Sequence, residues 1–114
     1  MTLPQADLAQ LANGLTIARR TQAGRETLVL DGEIDLLSAP ALECALQDAE
    51  RSRPRRVVLD LAALHFLDST AIHLLIGAQQ RADANNHQLI LTHVPGHAQR
   101  LFTLTGIRTR LTIE

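Results

Sequence analysis

The sequence predicts a single α/β domain on a mixed β-sheet, with an N-terminal hairpin followed by alternating α/β units. Three observations predict it. Two apolar runs flank a turn signal near the start. Beyond them, helix-like and strand-like segments alternate with short connections, the pattern of right-handed crossovers. Val57, Val58, Leu59 and Leu61 form a near-continuous apolar run, as a central strand buried on both faces does. The chain has 114 residues, enough to bury a modest core as one domain without staples.

Residues 1–13 are polar and alanine-rich and lack clear alternation, so they read as an arm, loose or in a short helix; residues 14–114 read as the domain. A strand starts after Asn13-Gly14 and runs through Leu15, Ile17 and Arg19. Gln22-Ala23-Gly24-Arg25 is a turn signal, and Thr27 to Leu30 is the second strand of an antiparallel hairpin. Asp31-Gly32-Glu33-Ile34-Asp35 closes that strand and opens a loop. Ser38 is placed to cap a helix beginning Ala39-Pro40, where the missing proline N–H costs nothing. Leu42, Ala45, Leu46 and Ala49 give that helix an apolar face, with Glu43, Gln47, Asp48 and Arg51 on the wet side, and Ser52-Arg53-Pro54 ends it.

The buried strand at residues 57–61 is followed by a short connection and a second helix carrying Ile72, Leu74, Leu75, Ile76 and Gln79. That helix ends near Asn85-Asn86, because asparagine tolerates the left-handed conformation. Leu89 to Leu91 is the next strand. A third helix runs through Leu101, Phe102 and Leu104 to Gly106, and Leu111 and Ile113 suggest a last edge strand. The two aromatics, Phe66 and Phe102, are expected in the core, with alanine and leucine filling the rest.

Apolar residues make up 46% and charged residues 20%, which excludes a wholly disordered chain. The net charge of −1 advertises neither a nucleic-acid footprint nor an acidic tail. All 11 basic residues are arginine, so no lysine can serve as a Schiff base, phosphate-loop residue or general base. The single cysteine, Cys44, cannot form an internal disulfide and is expected to be buried and inert. Nothing resembles a signal peptide, and no apolar stretch approaches the ~20 residues of a membrane helix. The expected compartment is the cytoplasm, without membrane insertion.

The most informative segment is Leu59 to Ala71, where a buried strand leads to Asp68-Ser69-Thr70 at a helix start. Asp68 or Ser69 can accept hydrogen bonds from the free N–H groups of the first turn. A phosphate on Ser69 would meet the same donors and the positive end of the helix dipole. It would add about two negative charges at pH 7 to an exposed surface already carrying Asp68. Asp35 is expected nearby if its strand is a neighbour in the sheet. Taken alone, the tripeptide is better explained as a plain polar cap.

Three segments together resemble the STAS domain family, and within it the bacterial anti-sigma factor antagonists. They are Leu30 to Asp35 followed by Ser38 to Leu42, Val57 to Leu61 through Phe66 to Ala71, and Arg100 to Ile107. The resemblance covers roughly residues 14 to 114. It implies that Ser69 accepts phosphate from an anti-sigma factor with serine kinase activity. The unphosphorylated form would bind that kinase and free the sigma factor. Phosphorylation would switch binding off, and a phosphatase would reset it. Asp35, Asp68, Thr70, Ala71 and His73 are the implied surroundings of the phosphosite. Ala71 stands where the family usually has glycine, and is expected to restrict close approach by the kinase. His73 stands where small residues are common, and is expected to alter the partner surface.

Other chemistry finds little support. His65 lies four residues before Ser69, but no nucleophile elbow or oxyanion donors accompany it. His87, His93 and His97 would need convergence and a fourth ligand to hold zinc. There is no GxxxxGK[ST] or GxGxxG cradle, so the chain reads as a substrate of a kinase, with no cofactor or metal and no enzyme activity. Arg51, Arg53, Arg55 and Arg56 read as a solvated loop. The alternative function is a non-switching STAS subunit docking an ABC-transporter ATPase or another STAS scaffold. Such relatives often lack the acceptor serine.

Overall fold

The computed structural model describes residues 8–114; the first part of the expected arm, residues 1–7, lies outside them. These residues form β1 (Leu8–Ala12), β2 (Leu15–Gln22), β3 (Arg25–Ile34), α1 (Ala39–Arg51), β4 (Arg56–Leu67), α2 (Ser69–Asn85), β5 (Gln88–Thr92), α3 (Gly96–Thr105), a 3-10 turn (Ile107–Arg110) and β6 (Thr112–Ile113). The strands lie in one sheet in chain order. β1–β2 and β2–β3 pair antiparallel, whereas β3–β4, β4–β5 and β5–β6 pair parallel.

The expected architecture holds, with one addition at the start. Residues 8–12 are neither loose nor helical: they pair with β2, Leu8 opposite Arg19 and Ala12 opposite Leu15. The Asn13-Gly14 turn that was expected to begin the domain instead joins two strands. Both its residues adopt positive φ, the backbone that a two-residue hairpin turn requires.

The inward side chains of β2 to β5, among them Leu15, Leu28, Leu30, Leu59 and Leu91, form one cluster with residues of all three helices. The helices therefore cover the same sheet face, as right-handed crossovers stepping in one direction require. Phe102 is fully buried at its centre. Phe66 is not in the core; it is 47% exposed.

The displacement of Phe66 follows from the shape of β4. β4 has 12 residues and its parallel partner β3 has 10, so β4 carries two extra residues. The register slips once between Val29/Asp31 and again between Gly32/Glu33, the signature of two β-bulges. The second bulge skips His65. Alternation breaks there, so Leu64 and Leu67 both point inward while His65 and Phe66 turn outward. The stretch expected to be a connection is thus strand up to Leu67. Asp31 to Ile34, expected as strand end and loop, are likewise strand.

Cys44 is exposed, contrary to expectation. It lies about 200° around the helix from Leu42, on the wet side. A clamp joins the first two helices. Arg81 of α2 donates through Nε to Glu50 Oε1 at 2.7 Å and through Nη2 to Oε2 at 3.2 Å, and its Nη1 lies 2.7 Å from Glu43 Oε1. The Glu50 hydrogen bond, opposed by partial burial, raises the Arg81 pKa above its already high ordinary value. Arg81 therefore stays charged wherever the fold survives.

Candidate functional site

β3 and β4 end side by side: Ile34 pairs with Leu67, and Asp68 N donates to Ile34 O at 3.3 Å. Asp35 and Asp68 are consequently neighbours at the carboxyl edge of two parallel strands. In doubly wound α/β sheets ligands bind at that edge; here it carries two carboxylates at neighbouring strand ends. The two bulges matter here, because they bring the longer strand to the same level as the shorter one.

Asp68 is the N-cap of α2. Its backbone is extended, and its carboxylate accepts from Thr70 N at 2.8 Å. Ser69 is the first helical residue and is exposed; Thr70 is half-buried. The Ser69 hydroxyl thus projects at the positive end of a 17-residue helix, with its neighbour already holding the first turn. His73, one turn on and exposed, places Nδ1 2.9 Å from Ser69 O. A carbonyl can only accept, so Nδ1 carries the proton and Nε2 is left for solvent or a partner.

Ala71 departs from expectation. It is fully buried and belongs to the core cluster, so its methyl faces the interior rather than an approaching partner. Alanine in place of glycine fills space beneath the helix and obstructs nothing at the surface.

Asp35 is held by its own loop. Its Oδ1 accepts from Leu37 N and Ser38 N, both at 3.0 Å. Ser38, fully buried, makes no capping bond to α1; its hydroxyl instead donates to Glu33 O at 2.8 Å and accepts from Asp35 N at 3.0 Å. The residue expected to cap the helix is therefore a pin within the preceding turn. This pin fixes the path of Leu36 and Leu37, which are 74% and 68% exposed.

Between the starts of α1 and α2 runs a groove of ≈ 350 Å³ lined by Leu36, Ala39, Pro40, Glu43, Thr70 and Leu74, with His73 at its side. Exposed apolar side chains beside an exposed serine suit protein contact. Sequence reasoning missed Leu36, Leu37 and Glu43. The available signal was a leucine pair inside a loop, where no periodic element required it.

The remaining histidines go elsewhere. His65 Nε2 lies 3.8 Å from Asp31 Oδ1, and both groups are largely exposed. His93 Nδ1 meets Asp60 Oδ1 at 3.1 Å, and His97 Nε2 meets Leu64 O at 3.0 Å. Among the described residues no three His, Cys, Asp or Glu side chains converge as metal ligands. No helix among them is long and apolar enough to cross a membrane.

A model of the STAS domain matches residues 17–114, and the chain belongs to that family. Within it, the chain falls among the anti-sigma factor antagonists, a group of regulatory proteins rather than enzymes. It is 28% identical over 94 residues to an anti-sigma-B factor antagonist of Staphylococcus aureus, covering 82% of this chain and 87% of that protein. It is similar to the crystal structure of an anti-sigma factor antagonist from Mycobacterium paratuberculosis, with a TM-score of 0.78 and 25% identity over 87% of this chain and 84% of the other. It shares its fold with the antagonist SpoIIAA in the unphosphorylated form, at a TM-score of 0.74 and 16% identity, covering 86% of this chain and 87% of the other.

Proposed function

We propose that the unphosphorylated chain binds an anti-sigma factor with serine kinase activity in the cytoplasm and thereby frees a sigma factor. Phosphorylation of Ser69 by that kinase ends the binding, and a phosphatase restores it. The reading rests on one observation: an exposed serine opens a capped helix beside an exposed apolar groove. Asp68 already satisfies the Thr70 N–H, so the phosphate can be added or removed without unravelling the turn. The added dianion would stand beside Asp68 and Asp35 and above the groove. It would desolvate badly under any docked apolar surface and repel acidic groups on it.

The supporting likeness is to proteins named as anti-sigma factor antagonists, and to a fold that exists in one Bacillus protein in a phosphorylated form as well. Incubation with the cognate kinase and ATP is expected to add the mass of one phosphate. Ser69→Ala is expected to abolish that gain. A phosphate that maps to Thr70, or that survives Ser69→Ala, would overturn the assignment.

A further inference from the structure

The end of the sheet remote from Ser69 carries a second feature. An open cleft of ≈ 860 Å³ lies between the C-terminal turns of α1 and α2. The loop joining α1 to β4 and the turn joining α2 to β5 build its walls, which include Arg51, Arg53, Arg55, Asn86 and His87. Glu50 is the one carboxylate in the wall, and Arg81 engages both its oxygens. Arg51 shares a 2.8 Å contact with Asp48, but both groups are well exposed and the pair is weak. Arg53 and Arg55 are exposed and have no side-chain ion pair or hydrogen bond among the described residues. Arg25 and Arg56, paired across β3 and β4, add two more cations at the same sheet end. A chain of net charge −1 thus gathers nearly half of its arginines here.

The backbone fixes these groups. Arg55 N donates to Gly24 O at 2.7 Å, and Gln88 N donates to Arg55 O at 2.9 Å, so Arg55 is tied to the β2–β3 turn on one side and to β5 on the other. Arg53 sits at φ 52, a left-handed conformation in which glycine or asparagine is the ordinary choice. A long cation is held there against local preference, an outlier of the kind that marks sites with a task. The ends of α1 and α2 each bring about half a negative charge to the cleft, which three full guanidinium charges outweigh.

We propose that this cleft binds a small ligand carrying two or more phosphate groups. Guanidinium forks match phosphate oxygens in pairs. The lining holds no Phe, Tyr or Trp, and its one aromatic ring, the imidazole of His87, is only 9% exposed, so recognition runs through charge rather than base stacking. Three of the cations, Arg51, Arg53 and Arg55, line one concavity, which favours a compact anion over an extended acidic segment. The volume lies within the range of small-ligand sites, about 300–1,000 Å³.

Calorimetric titration of the full chain with inorganic tripolyphosphate at low ionic strength tests this. One saturable site is expected. Arg53→Ala/Arg55→Ala, with folding checked by circular dichroism, is expected to weaken it by at least about tenfold. Arg108→Ala/Arg110→Ala on the 3-10 turn is expected to change it by less than about twofold. Amide shifts in the unaltered protein, which need no variant to fold, are expected at residues 51–56 and 84–88. Absence of saturable binding, equal losses in both double variants, or shifts centred elsewhere would overturn the proposal. So would binding of an acidic peptide to this face with none of tripolyphosphate.

Discussion

Two residues frame the Ser69 end of the molecule. Asp68 caps α2 by accepting from Thr70 N, so Asp68→Ala is expected to cost ~1 kcal/mol, read as a lower melting temperature in thermal denaturation. Asp68→Asn keeps a capping oxygen and is expected to restore most of that loss. Gly32 is constrained in a different way. It adopts φ +121, and a methyl group built on it would overlap the carbonyl oxygen of Gly14, which accepts from Glu33 N at 3.1 Å. Gly32→Ala is therefore expected to destabilise the fold by ~3 kcal/mol, because conformational strain and steric overlap act together. Chemical denaturation measures this directly. The Gly-Glu-Ile-Asp segment is legible in the sequence as a marker. Its physical reason, a strand pressed against the β1–β2 turn, needs coordinates.

At the scale of elements, α1 and α2 flank the groove and are clamped by Arg81. The clamp's side chains are 13% to 31% exposed, so solvent screens it in part. A double-mutant cycle of Arg81→Ala and Glu50→Ala is expected to give a coupling of ~1 kcal/mol, and no coupling would mean that packing alone sets the helix pair. Strong periodicity made the helices legible: Leu42, Leu46 and Ala49 are buried, and Asn86 and Gly106 close helices in left-handed conformations as expected. What escaped was set by cross-strand pairing rather than by local pattern. β1 has no alternation of its own and forms because β2 offers it an edge. The bulges in β4 arise from its register against β3, and no residue from Ala62 to Phe66 announces them. The exposed Leu36 and Leu37 owe their position to the pin between half-buried Asp35 and buried Ser38. A sequence reading assigned that serine to the helix instead.

At the scale of the whole molecule, charge is separated along the sheet. Asp31, Glu33, Asp35 and Asp68 gather around the carboxyl ends of β3 and β4, while Arg25, Arg51, Arg53, Arg55 and Arg56 gather at the other end. One apolar cluster lies between them, and Ser69 is exposed outside it, so a change at Ser69 has no need to travel through the fold. The proposed switch acts at the surface, on what can dock beside Ser69, and requires no change in the domain itself. The most direct measurement is the affinity of the cognate anti-sigma factor for this chain with Ser69 free and with Ser69 phosphorylated, at one ionic strength. Like charge and lost apolar contact at a docked interface cost several kcal/mol, so phosphorylation is expected to weaken binding by at least ~100-fold. Affinities that agree within about twofold would contradict the account, since such a difference shifts the equilibrium by only ~0.4 kcal/mol.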